Sequence, residues 1–135
     1  MVTIEGNYLG DLQVEAVHGP SGATLRTDAP ADNQGKGREF SPTDLVATSL
    51  GTCIATILGI VARRREIDLA GMRFRVTKEM VADPDRRIGS LSTTIFFPAS
   101  VPEEARPVLE RAAHACPVHR SLDPRVEAPI EFVYG

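Results

Sequence analysis

Residues 41–62, SPTDLVATSLGTCIATILGIVA, decide how this chain folds. Asp44 is the only residue of the stretch that is ionised at neutral pH, and the 18 residues from 45 to 62 carry no charge. A run of that length and polarity could span a bilayer. Thr48, Ser49, Thr52 and Thr56, with Gly51 and Gly59, argue instead for the central helix of a soluble protein, enclosed by other elements. Its start is marked. Ser41 suits the N-cap, Pro42 the first helical position, and Asp44 the third, an arrangement close to a capping box. Arg63, Arg64 and Arg65 favour the C-terminal end, which puts the stop near residue 65.

Outward from this helix, the pattern changes period. Residues 2–8, 13–17 and 23–27 alternate roughly every second position and read as strands, separated by turns rich in Gly, Pro, Asn and Asp. Residues 28–39, DAPADNQGKGRE, read as a polar loop with no packed element, a possible lid. After the helix, residues 68–81 and 88–97 form a hairpin across the Asp83-Pro84-Asp85 turn, with Phe74 and Val76 on one face. Residues 102–115 form a second helix with Val101, Ala105, Val108, Leu109 and Ala112 as its apolar stripe, and 126–134 a last strand. The order β-β-β-α-β-β-α-β is that of an α+β fold, and 135 residues make a single domain over 1–135. A helix apolar on nearly all sides needs more cover than one small sheet supplies, which points to a partner subunit in a two-fold homodimer.

Composition narrows the function. With a net charge of -3, no Trp and 5% aromatic residues, the chain offers neither a basic footprint nor a stacking platform for nucleic acid. The Arg63–Arg65 and Arg86-Arg87 clusters are flanked by acids and read as a solvated helix end and a turn. Met1 is followed by polar and acidic residues rather than a basic start and an apolar run, so a cytoplasmic protein is expected, with no membrane partner. Two cysteines are too few for a disulfide scaffold, and in a reducing compartment such a pair is more often catalytic or redox-sensing.

Those two cysteines carry the chemistry. Cys53 sits mid-helix in apolar sequence, where a thiol is usually inert filler. To react it needs a cation, because the helix N-terminus lies about three turns away; Arg26 and Arg38 precede the helix and are the available guanidinium groups. Cys116 stands before Pro117, which ends the second helix. His114 and His119 lie close by, but the spacing is too common for a zinc site, and neither histidine has an orienting partner of the kind a hydrolase needs.

SPTDLVATSLGTC, followed 63 residues later by CPVHRSL, resembles the OsmC/Ohr family of thiol peroxidases over essentially the whole chain. The matching parts are the Ser-Pro helix start with a cysteine eleven residues past the proline, the Cys-Pro segment closing a helix, and the TDAPADNQGKG loop. The resemblance implies an intertwined homodimer with two active sites at its interface. It implies that Cys53 attacks a peroxide and becomes a sulfenic acid, that Cys116 condenses with it to a disulfide, and that an external dithiol or lipoyl-type thiol restores both. It implies no cofactor and no metal. An arginine, here Arg38 with Arg26 as the second choice, would hold the thiolate, and a carboxylate would orient that arginine. The best-studied branches carry glutamate directly after the proline, where this chain has Thr43. Asp44, one position on and about 100° around the helix, is then either that acid or only the cap. The second reading of the same resemblance is a redox-sensing or small hydrophobic ligand-binding dimer with little peroxidase activity.

Overall fold

The computed structural model describes residues 1–135 as two compact units, residues 1–46 and residues 47–135. The first is an antiparallel meander of β1 (Ile4–Gly10), β2 (Gln13–His18) and β3 (Thr24–Asp28). The β1–β2 turn places Gly10, Asp11 and Leu12 all at positive φ, so two residues with side chains hold a conformation that glycine favours. One face of the sheet carries Ile4, Tyr8, Val14 and Leu25, all exposed in the single chain.

The polar loop is more ordered than its composition suggests. A 3₁₀ turn forms at Ala31–Asn33, and the Gly35 and Gly37 amides bond the carbonyls of Pro30 and Ala29. A Cβ at Gly35 would fall on the Ala29 carbonyl, so this glycine is required by close backbone approach rather than by flexibility.

The long helix α1 (Pro42–Arg64) begins where the cap residues place it. The Ser41 hydroxyl accepts from the Asp44 amide at 3.1 Å, and the Asp44 carboxylate accepts from the Ser41 amide at 2.9 Å, closing the box reciprocally.

The second unit contains the rest of α1 and a sheet of β4 (Arg73–Val81), β5 (Arg87–Phe97) and β6 (Ile130–Tyr134). β4 and β5 are antiparallel, and β6 lies parallel to β5. Between β5 and β6 run α2 (Arg106–His114) and α3 (Pro117–Arg120). Phe74 and Val76 share one face, in register with Ile95 and Thr93. On that face Leu91, Thr93, Ile95 and Phe97 are buried, and so is the α1 stripe of Ala47, Leu50, Gly51, Ile54, Leu58 and Ala62. Gly51 sits against the Phe74 ring, where any Cβ would collide with it. α1 has the length and hydropathy of a membrane span, yet this stripe is packed and Thr52, Thr56, Gly59 and Ile60 are exposed.

Apart from shifts of one or two residues, such as β1 at Ile4–Gly10 rather than 2–8, three boundaries differ from the sequence reading. β4 starts at Arg73 rather than 68, because Asp68 caps the Ala70 amide and Gly71 turns the chain at φ 89°. The second helix opens as a 3₁₀ turn at Glu103–Ala105. Pro107 has no N–H for the Glu103 carbonyl, which the Arg106 amide takes instead. β6 is confined to Ile130–Tyr134, since Pro129 directly before it has no N–H to give a ladder.

The Thr93 hydroxyl is buried in this core without a hydrogen-bond partner. Replacing it with an apolar isostere removes that desolvation penalty, so Thr93→Val should gain about 1 kcal/mol. Denaturant titration of the two proteins, compared at the unfolding midpoint, measures this directly.

Candidate functional site

Cys53 and Cys116 come together although 63 positions separate them. Cys53 lies on the flank of α1, beside the buried stripe and half-exposed. Cys116 is fully buried at the α2–α3 corner. Both are free thiols, near enough for each to affect the other's electrostatics. Burial, and then the nearby Cys53, push the Cys116 thiol above its ordinary value, so it is protonated at neutral pH.

Local structure explains the position of Cys116. Ala115 and Cys116 amides close α2 on Ala112 and Ala113. Pro117, which cannot continue α2, starts α3 instead, and Cys116 becomes its N-cap, accepting from the His119 amide at 3.5 Å. The four-residue α3 was not foreseen, because it is shorter than any periodic pattern can reveal. His119 is committed elsewhere, its Nε2 lying 3.0 Å from the Ala128 carbonyl.

Cys53 opens onto a groove of about 370 Å³. Ser49, Thr52, Thr56 and Ile57 line one wall and Pro117 and Val118 the other. The two threonines bring little polarity. Thr52 donates its hydroxyl to the Thr48 carbonyl at 2.8 Å, and Thr56 donates to the Thr52 carbonyl at 2.8 Å. The surface next to the half-exposed thiol is therefore largely apolar.

Arg38 is held within the first unit. Its Nε donates to Asp28 Oδ2 at 2.7 Å, Nη2 reaches Asp28 Oδ1 and the Asp11 carbonyl at 3.3 Å each, and Nη1 lies 3.2 Å from the Asp11 carboxylate. The Arg38 amide also donates to Asp28, at 3.0 Å. Asp28 is the buried partner, and Lys36 adds a second cation on Asp11. The carboxylates hold the guanidinium firmly charged, Asp28 contributing most. Arg26, the second choice, lies on β3 opposite Glu15 and is exposed. Asp44 occupies the capping box described above. The carboxylate that fixes Arg38 is thus Asp28, which the sequence reading missed. The available signal was its position, an acid at the end of a strand just before the loop that carries the arginine.

The Arg38 hydrogen bond holds the Asp28 carboxyl below its ordinary value of 3.8. Folding therefore favours the ionised form. The resulting stability is complete above pH 3.8 and is lost as pH falls from there through the depressed folded value. Thermal unfolding of wild type and Asp28→Asn across this range should show a gap at neutral pH that closes in acid. Parallel curves would mean that the ion pair does not stabilise the fold.

The family profile described as OsmC-like protein matches residues 35–131. Among curated proteins there is no match. A proposed osmotic-stress-induced and detoxification response protein from Psychrobacter arcticus 273-4 is 44% identical, with a TM-score of 0.91 over 98% of this chain and 96% of that one. An organic hydroperoxide resistance protein from Legionella pneumophila superposes with a TM-score of 0.75 at 16% identity, over 98% of this chain and 96% of its own. The organic hydroperoxide resistance protein OhrB of Bacillus subtilis gives 0.69 at 17%, over 98% and 97%. At such identities these last two speak to the fold alone.

Proposed function

The chain belongs to the OsmC-like protein family, and from that premise we propose that it is a cysteine-based peroxidase acting on organic hydroperoxides. The observation that carries the reading is the thiol pair, with Cys53 open to an apolar groove and Cys116 shielded, protonated and adjacent. The Cys53 thiolate attacks the outer peroxide oxygen, the O–O bond breaks, and the alkoxide leaves as the alcohol after taking a proton. Cys53 is then a sulfenic acid. The Cys116 sulfur displaces its hydroxyl, which leaves with the Cys116 proton as water, and a disulfide forms. An external dithiol supplies two electrons and two protons to restore both thiols.

In this reading Arg38 is the cation that supports the thiolate, Asp28 orients it, and Asp44 serves as the cap. The working unit is a homodimer, in keeping with the exposed apolar face of the first sheet and Ile60 on α1. Its free thiols suit a cytoplasmic setting.

Steady-state consumption of cumene hydroperoxide with a dithiol reductant tests the proposal. Cys53→Ser should fall to background, and activity equal to wild type would sink the idea. Cys116→Ser should complete one turnover and leave a trappable sulfenic acid. The groove also sets a preference. Burying two or more carbon units at ~0.8 kcal/mol each favours cumene hydroperoxide over hydrogen peroxide by at least about tenfold in kcat/KM.

A further inference from the structure

A concavity of about 630 Å³ in the second unit belongs neither to Cys53 nor to its groove. Pro107, Glu110, Arg111 and His114 line it from α2, Ala115 from the residue that follows it, and Arg120 from the end of α3. The α2 positions recur at three and four residues, so they form one helix face. It is open to solvent rather than enclosed, a shallow surface site.

Its charge is unbalanced. Arg111 and Arg120 are exposed and carry no ion pair, and the His114 ring makes only edge contacts with His119 and Phe132. The one acid on the wall, Glu110, is already engaged. It accepts from the Tyr134 hydroxyl at 2.7 Å, and the Arg106 guanidinium covers the Tyr134 ring at 4.1 Å. At the end of α2 the Ala112 and Ala113 carbonyls are taken by the Ala115 and Cys116 amides. Two unpaired guanidinium forks face a concavity floored by Pro107 and Ala115. Arginine forks match phosphate oxygens two at a time.

We propose that this α2–α3 concavity binds a phosphorylated small molecule, with adjacent phosphates divided between Arg111 and Arg120. The site is independent of the peroxidase reading. Pyrophosphate is the probe, added to the full chain at constant ionic strength and followed by backbone amide shifts. Saturable shifts centred on residues 107–120 are expected. Losing one charge-assisted contact costs about tenfold or more in affinity, so Arg111→Gln and Arg120→Gln should each weaken binding by at least that factor. Arg125→Gln, whose arginine is paired with Asp123, should leave affinity unchanged. Because both cavity arginines are exposed, the variants should keep the wild-type melting curve. The proposal is overturned by absence of saturable binding, by undiminished binding in the Arg111→Gln/Arg120→Gln double variant, or by shifts centred on Arg63–Arg65 instead.

Discussion

A helix that is apolar on every side can bury only one side against a single sheet. For α1 the side is chosen by Gly51. It is the residue that lets the Phe74 ring meet the helix, and it shares the buried stripe with Leu50, Ile54 and Leu58. Cys53 is offset from that stripe by its sequence position alone, since Leu50 and Ile54 define the buried direction and residues 49, 52, 53 and 56 turn away from it. The thiol is consequently held by a packed helix yet reaches the surface. A thiol on a rigid element beside an open groove is accessible to an external reagent, and a cysteine at position 50 or 54 would be buried.

The second thiol answers a different constraint. Cys116 is carried by a corner between two helices, not by a helix interior, because Pro117 forbids continuation and permits a fresh start. A corner residue can be buried without belonging to a regular hydrogen-bond ladder. Its sulfur accepts one long bond, 3.5 Å from the His119 amide, while its amide and carbonyl bond Ala113 and Arg120. Protonation suits this position, because a neutral thiol tolerates burial that would be costly for a thiolate. The two thiols thus differ in environment, one half-exposed and one buried.

How much of this was legible in the sequence depended on the range of each signal. The start of α1 was written locally in Ser41, Pro42 and Asp44, and the reciprocal bonds follow those residue types. The alternation through Phe74 and Val76 likewise gave the correct face of β4. Features that joined distant segments were not legible. The loop after β3 looked like unstructured polar sequence because its order comes from backbone bonds and from Arg38 reaching Asp28 and Asp11. α3 was too short to leave a period, and the early 3₁₀ turn before α2 arose from the missing amide of Pro107.

The same distinction bears on the choice between Asp28 and Asp44. Asp44 attracts notice because it lies in the helix-start motif, but that motif has a structural demand for it, since the Ser41 amide is otherwise an orphan donor. Asp28 has no such local duty. It is buried at a strand end, and it is bonded three times by one residue, through the Arg38 backbone and two of its guanidinium nitrogens. A buried carboxylate is tolerable only with such a partner, and the partner is fixed in return. An arginine already oriented by a buried acid loses less freedom when it meets a further anion than one free in solvent. Asp28 and Arg38 together therefore fix a guanidinium in place within the first unit.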